Sequence, residues 1–539
     1  MASKKFEIPL VAERGVSYRF FEILPGFLSW TILLLPFVLA FVSVAASAFI
    51  MLAYLILWFI KAMALNIRVL QGFRTLKAHQ KVAWQDLIDD IGKPKAEAEH
   101  APDWHQRNLD RILATPNGIR PRDVVHAVII ATYNETREVL EPTIQAVLAS
   151  DYDPKKIILI LAYEERGGKA VEQQAKQLIA DYSGKVLYAE AVGHPDGLPN
   201  EVRGKGGNIT FAGKRLAEVV AKEGIDPSHV LVTTLDSDNR PHPQYFAGLT
   251  YVYGVCHEPK QLSFQPVPMF TNNIWDVPAP MRVIATSNSF WMLVQGLRPH
   301  MLRNFSSHAQ PLDALMVTNF WSTRTIVEDG HQFWRSYFAF EGKHEVVPIF
   351  LPIYQDAVLA KGYRRTLKAQ FIQVRRWAWG ASDVAYVAKY GYLTKNKISK
   401  IDVTFKFLRL LEGHVSWATA SLILAYGALI PSLFNGNSYL ATQLPMIASY
   451  IQTIALSTIF ISMFLSFKIL PPKPARYKRH RTVLMVLQWV LVPLTTICYS
   501  AGAAIYSQTR LMFGWYLGGF DVTEKAVKTD TGTVTSLQD

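Results

Sequence analysis

Between Leu24 and Ile60 the chain carries no charged side chain. As a helix rising ~1.5 Å per residue, this run would be roughly 55 Å long, too much for one crossing of a ~30 Å hydrocarbon core. It is expected to fold as two short membrane helices turning near Ala45-Ala46-Ser47. A second apolar block, Val415 to Phe467, is broken by Asn435-Gly436-Asn437 and reads as two spans joined by a loop, and a third covers Thr482 to Gln508. In a chain of 539 residues, 50% hydrophobic and 18% charged, these blocks leave a long polar middle and imply a mixed membrane and water-exposed layout.

Loop charge sets the expected orientation, because Lys and Arg are retained on the cytoplasmic side. PPKPARYKRHR, residues 471 to 481, is dense in them, and the NGNSY loop has none. The N-terminus, with Lys4, Lys5, Arg14 and Arg19, and the polar middle are then cytoplasmic, in a multi-pass protein of the plasma (inner) membrane. The opening apolar block is too long for a cleaved signal peptide and lacks a clear cleavage site, which makes it a retained anchor. Cys256 and Cys498 lie far apart in segments of different character, so no disulfide framework or Cys-rich metal site is expected. The net charge of +13 is spread over juxtamembrane loops, where anionic headgroups attract it, so membrane lipids are expected partners and nucleic acid is not.

Within the polar middle, VVHAVII (124 to 130), KIILILAY (156 to 163), KVLYAEA (185 to 191) and HVLVTTL (229 to 235) have the length and β-branched content of buried strands. EVLEPTIQAVLAS, GGKAVEQQAKQLIADY and NITFAGKRLAEVVAKEG between them read as amphipathic helices. Such alternation predicts a largely parallel sheet, whose ligands gather at the carboxyl ends of the strands. Those ends read Thr132-Tyr133-Asn134-Glu135, Glu164-Glu165 and Asp236-Ser237-Asp238. No GxGxxG follows the first strand and no GxxxxGK[ST] occurs, which argues against a dinucleotide oxidoreductase and a P-loop NTPase.

Asp236 and Asp238 are one residue apart just past a strand, where alternate positions point to one side and both carboxylates can approach one cation. Hard oxygen donors suit Mg²⁺ or Mn²⁺, which in turn can hold a diphosphate. Roughly one Asp-x-Asp is expected by chance in a chain of this length; Asp151-Tyr152-Asp153, between a helix and a strand, reads as that accident. Lys205-Gly206-Gly207-Asn208 opens a helix, offering a lysine and backbone amides to an anion, or else a plain glycine turn. Glu328-Asp329, ahead of Gly330, places an acidic pair at a turn, either solvated or able to take a proton from a hydroxyl. Gln373, Arg376 and Trp377 share one helical face on which the arginine can clamp a diphosphate and the tryptophan form a flat wall. The competing reading, an interfacial helix with snorkelling arginines, explains Arg375 and Trp379 but not Gln373.

In this order the motifs resemble the membrane-embedded family 2 glycosyltransferases, which include cellulose, chitin and hyaluronan synthases. The resemblance covers roughly residues 124 to 380 and, more loosely, the flanking spans. It implies an α/β GT-A domain inserted between transmembrane helices. Thr132, Tyr133, Glu135, Glu164, Lys205, Asn208, Asp236, Gln373 and Trp377 would bind substrate, and Asp236 and Asp238 the metal. Asp329, Glu328 and Arg376 would be catalytic, with Asp329 as base and Arg376 on the departing diphosphate. Phe520-Asp521-Val522-Thr523-Glu524-Lys525 is similar to the gating loop of cellulose synthases, with Glu524 in place of proline. Glu164-Glu165 replaces an Asp pair that reads the base, which leaves the nucleotide open.

The implied activity is an inverting transfer from a nucleotide sugar, UDP-linked by expectation, to a growing polysaccharide with possible coupled export. The alternatives are single transfer to a lipid-linked acceptor and a catalytically silent membrane scaffold. The expected layout is a cytoplasmic tail (1–22), a transmembrane hairpin (23–66), a juxtamembrane linker (67–122), the GT-A domain (123–360), interfacial helices (361–412), a C-terminal transmembrane region (413–510) and the FDVTEK segment with a polar tail (511–539). A single crossing by 482 to 508 would put FDVTEK outside; Pro493 allows that run to fold as a broken or re-entrant segment.

Overall fold

The computed structural model describes residues 6–91, 102–457, 459–519, 526–528 and 534–535. Its centre is a mixed sheet of β1 (Val125–Thr132), β2 (Ile157–Glu164), β3 (Tyr188–His194), β4 (Val230–Asp236), β5 (Arg240–Pro241), β6 (Leu262–Phe270), β7 (Ala309–Pro311) and β8 (Glu345–Gln355). The strand order is β3-β2-β1-β4-β7-β6-β8-β5. The four strands expected from the sequence start one to three residues later than their apolar runs and pair in parallel. Sequence alternation did not foresee the other half, where β7 runs antiparallel to β4 and β6 while β8 is parallel to β6.

Two apolar layers sandwich the parallel half. Val128, Ile130, Leu159, Leu161, Leu231 and Leu235 belong to one buried cluster, while Ala127, Ile129, Ile158, Ile160, Val230 and Val232 belong to another. The two sets alternate along each strand, as the period-2 geometry of a sheet requires, and continuous Val/Ile runs are what a strand covered on both faces needs. The intervening helices Arg137–Leu148, Lys169–Tyr182 and Lys205–Lys222 fall where their amphipathic pattern put them.

Five helical runs among the described residues are long and apolar enough to cross a membrane: Val16–Val42, Val44–His79, Lys400–Phe434, Tyr439–Ile469 and His480–Phe513. The first hairpin turns at Ser43, two residues before the expected turn, and both arms outrun the uncharged stretch. The second arm extends to His79 because its polar end docks on the domain. A Cβ on Gly72 would stand 3.0 Å from the Leu293 Cβ, and Val69 and Leu76 join Leu293 and Phe350 in one buried cluster. Much of the expected linker is therefore helical, with Trp84–Asp90 and Asp103–Ala114 following. The expected boundary between interfacial and membrane segments falls inside the helix Lys400–Tyr426.

The N-terminal stretch is packed rather than a tail from Phe6 onward. Ile8 is buried, Tyr386 Oη donates to the Phe6 carbonyl at 2.7 Å, and Tyr390 Oη to that of Glu7 at 2.8 Å.

His480–Phe513 is not one straight crossing. A 3₁₀ turn at Gln488–Leu491, Pro493 and a π segment at Thr496–Ala501 interrupt it. Both ends touch the sheet domain or its supports: Arg481 Nη2 donates to the Trp275 carbonyl at 2.9 Å, and Leu511 packs with Ile326 and Trp379. At the far end Arg19 donates to the carbonyls of Leu511 (2.7 Å) and Met512 (2.5 Å), neutralising the exposed end of the helix Gly502–Phe513. FDVTEK (520–525) lies outside the described residues; beside it, Gly519 approaches Arg203 and the Ala526 N–H donates to the Leu359 carbonyl at 3.0 Å.

A reporter inserted at Asn435–Asn437 is expected on the opposite side of the membrane from reporters in 473–479 and at the C-terminus. Accessibility of single cysteines to an impermeant reagent checks this; a C-terminus on the Asn435 side contradicts the docking of both ends of His480–Phe513.

Candidate functional site

Sheet register assembles the site. Asp236 lies beside Ala131, Thr132 beside Tyr163, and Glu164 beside His194, so the polar residues that end β1 to β4 form one rim. Lys205, first residue of its helix, brings its ammonium 2.9 Å from Asp236 Oδ1 and 3.5 Å from Asp329 Oδ1. Burial alone would lower the Lys205 pKa, but Asp236, Asp329 and Glu328 more than offset it and hold the group above its ordinary value. The other oxygen of Asp236 accepts from Ser306 Oγ at 2.8 Å.

The glycines after Lys205 serve close approach rather than an open anion cradle. A Cβ on Gly206 would lie 2.3 Å from the Ser322 carbonyl oxygen, and one on Gly207 2.9 Å from Glu201 Oε2. The Asn208 amide donates to the Ala162 carbonyl at 2.8 Å and the Thr132 carbonyl at 3.4 Å, tying the ends of β2 and β1 together.

Glu328 and Asp329 occupy the first turn of the helix Glu328–Ala339, not a free turn, where a helix N-terminus favours acidic groups. Glu328 is buried, and burial, then the Asp329 charge, push its carboxyl up to about 7, while Lys205 and Arg376 pull it down. The Asp329 side chain is 19% exposed and reaches His308 Nδ1 at 3.6 Å. Asp329 is thus the member of the pair open to a ligand.

Asp238 corrects the alternation argument. β4 ends at Asp236, so Asp238 lies beyond the strand, in a turn, and strand geometry does not aim it. Its Oδ2 accepts from the Asp356 N–H at 3.0 Å, and its carbonyl from Asn272 Nδ2 at 2.9 Å. No group of three or more His, Cys, Asp or Glu suited to a metal occurs among the described residues. Two carboxylates on one short stretch still fit Mg²⁺ or Mn²⁺, which take such a pair together with substrate phosphates and water.

Along the same rim, at the β1–β3 side, the expected binding residues engage protein partners. Glu135 Oε2 accepts from Thr132 Oγ1 and the Tyr133 N–H, each at 2.8 Å, and the Arg166 guanidinium lies 4.2 Å from the centre of the Tyr133 ring. Glu164 Oε2 takes Arg166 Nε and His194 Nδ1, each at 3.2 Å, while His194 Nε2 meets Glu201 at 3.1 Å. Burial opposes a charge on His194, yet the two carboxylates raise it to about 9, so it is an imidazolium at neutral pH.

Gln373, Arg376 and Trp377 lie on the helix Tyr363–Ala378. Gln373 Oε1 accepts from Gln370 at 3.1 Å, the Trp377 ring is 6.4 Å from that of Phe270, and the Arg376 charge reaches Glu328. The two neighbours explained as headgroup contacts are not so placed. Arg375 sits over the Tyr506 ring at 5.8 Å, its carbonyl accepting from Ser507 Oγ at 2.7 Å, and Trp379 is buried against Ile326 and Leu511. The run His480–Phe513 covers this face, which a sequence read one helix at a time does not reveal. Asp151 and Asp153 stand before β2, at the opposite edge, with Asp153 capping the turn Pro154–Lys156.

Sequence reasoning missed Ser306, His308, Arg166, His194 and Glu201. His308 is fully buried, and its Nε2 accepts from Trp321 Nε1 at 3.1 Å, leaving the proton on Nδ1, which donates to the Phe305 carbonyl at 3.0 Å. None sits in a spaced motif. His194 alone carried a signal, as the last residue of a strand whose neighbour ends in Glu164.

No protein-family model and no curated protein matches the chain. Among solved structures it is similar to the mannosyltransferase PcManGT from Pyrobaculum calidifontis in complex with GDP-Man and Mn²⁺, at TM-score 0.39 and 14% identity over 81% of this chain and 99% of that one. It is also similar to residues 1–349 of TarS from S. aureus in complex with UDP-GlcNAc, at TM-score 0.36 and 11% identity over 77% and 97%. So loose a likeness assigns no residue a role.

The raised His194 contributes stability that is fully present below its unfolded value of 6.5 and is lost as pH climbs through about 9. The melting temperature of wild type should therefore exceed that of His194→Gln at pH 6, with the gap closing by pH 9.5. A gap independent of pH contradicts an ion-paired imidazolium.

Proposed function

We propose that the chain is a membrane glycosyltransferase of GT-A type that moves a sugar from a nucleotide-diphosphate donor to an acceptor hydroxyl with inversion. One observation carries the reading: Lys205 stands 2.9 Å from Asp236 and 3.5 Å from Asp329 at the carboxyl end of a parallel sheet, with the Arg376 charge close enough to act on Glu328. A cation between carboxylates suits a diphosphate that must be bound, neutralised as it leaves, and kept apart from a base.

In this reading the acceptor oxygen attacks the anomeric carbon from the face opposite the diphosphate. The new C–O bond forms as the bond to the leaving oxygen breaks, and the hydroxyl proton passes to Asp329. Lys205 and Arg376 meet the negative charge that collects on the diphosphate. A divalent cation held by Asp236 and Asp238 would add electrophilic stabilisation there. Glu328, too buried to meet an acceptor, supports Asp329 from the same helical turn. Trp377 and Phe270 offer an aromatic wall for a sugar ring.

Membrane spans flanking the site favour a growing polysaccharide as acceptor, with export; single transfer to a lipid-linked acceptor is the second reading, favoured by the same proximity to the bilayer. A cytoplasmic domain at the plasma membrane follows from the basic loops. UDP remains the expected nucleotide. A silent scaffold would have no need of Lys205 buried among three acids.

Membranes incubated with a panel of sugar nucleotides should release nucleoside diphosphate from one of them; release from none contradicts the reading. Asp329→Asn should cut turnover roughly a hundredfold or more with donor affinity kept, and Glu328→Gln should cost less. Arg376→Ala should abolish turnover, while Arg375→Ala, which loses the Tyr506 contact, should keep most of it. Asp238→Asn should weaken metal-dependent donor binding and Asp151→Asn leave it unchanged.

A further inference from the structure

Two parts of the proposed chemistry ride on different helices. Asp329 belongs to Glu328–Ala339, and Arg376 to Tyr363–Ala378. Transfer needs the base and the leaving-group cation at a set separation, since near-attack geometry tolerates little displacement. The first helix is tied firmly to the sheet side. Gln332 Nε2 donates to Gln310 Oε1 at 3.1 Å and Thr318 Oγ1 at 3.2 Å, and Arg335 donates to the carbonyls of Phe320 (2.6 Å) and Thr318 (2.7 Å). None of these bonds reaches the Arg376 helix.

His331 does. Two residues past Asp329, its Nδ1 lies 2.7 Å from Asp383 Oδ1, with the histidine 0% and the aspartate 6% exposed. The Tyr386 ring meets the imidazole edge-on at 4.3 Å. Asp383 opens the helix Asp383–Ala388, joined to the Arg376 helix by the 3₁₀ turn Trp379–Ser382. From Arg376 to Asp383 the backbone is helical throughout, about 10 Å of stiff rise. Moving Asp383 therefore moves Arg376.

We propose that the His331–Asp383 pair is a positioning brace that sets the separation of Asp329 and Arg376. The proposal rests on the function proposed above. Apolar contact between the same segments, Ile326 against Trp379, holds them together but permits sliding. A buried hydrogen bond between an imidazole and a carboxylate is directional, and losing either group leaves the other buried without that bond. Neither residue touches the reacting atoms in this arrangement; both act through the helices they join.

The test uses the full chain in membranes with Asp383→Ala, His331→Ala, the double variant and Asp383→Asn, which keeps an acceptor oxygen. The brace predicts turnover reduced roughly ten- to a hundredfold in both alanine variants with donor KM held within about twofold. It also predicts a double variant no worse than the worse single, and recovery of most activity in Asp383→Asn. A second readout needs no activity. Spin labels on exposed Lys343→Cys and Lys368→Cys, in a background with Cys256 and Cys498 replaced by Ala, should give a distance distribution that shifts or broadens in Asp383→Ala and returns in Asp383→Asn. Additive losses, a donor KM that rises with the loss of turnover, or an unchanged label distance each overturn the brace. If wild type releases no nucleoside diphosphate from any donor, the proposed function fails, and the label distance alone decides the brace.

Discussion

The ammonium of Lys205 joins three parts of the chain. It begins one helix, faces the end of β4 through Asp236, and faces the start of another helix through Asp329. Burying a lysine is costly unless acids surround it, and burying acids is costly unless a cation does. Each group makes the others tolerable. The arrangement has strict steric conditions: Gly206 lets the helix approach the Ser322 carbonyl, and Asn208 binds the ends of β1 and β2. Polar residues at strand ends are thus held by structural bonds that also shape a charged recess.

Attachment to the membrane helices follows from similar close contacts. A Cβ on Gly26 would lie 2.7 Å from the Gln508 carbonyl oxygen, and Ser29 Oγ donates to Gln508 Oε1 at 2.6 Å, so the first and last apolar runs are in contact. Glu22 is buried between Arg14 and Arg19, at 2.8 and 3.0 Å, and accepts from Tyr516 Oη at 2.8 Å. Tyr516 and Leu517 in turn pack beside Val202, Val327 and Trp379. The entry to the first membrane helix and the exit from the last are thereby bound to the loops that carry Lys205 and Asp329. Membrane seating and site geometry share one set of contacts.

How far the sequence reached is clearest at particular residues. Asp236, Lys205 and Asp329 were legible because each stands at the junction of a buried run and a polar turn, and junctions are local. Arg375 and Trp379 were misread because their environment is Tyr506, Leu511 and Ile326, brought in from more than a hundred residues away or from across the domain. Asp238 was placed by strand alternation, which stops where the strand stops. His194 and His308 belonged to no motif, and their partners Glu201 and Trp321 reach them only through the fold.

Alone, the sequence determined what depends on neighbours along the chain: the four parallel strands, their amphipathic helices and the apolar runs, because side-chain period and hydrophobicity act over one element at a time. It also determined that the acids lie at the carboxyl ends. The tertiary structure decided the antiparallel half of the sheet, the return of His480–Phe513 to the domain, and the partners of Lys205 and His331. Those are settled by contacts between distant segments, where a hydrogen bond to a specific carbonyl or a glycine's missing Cβ selects one packing among several that the same hydrophobic pattern allows.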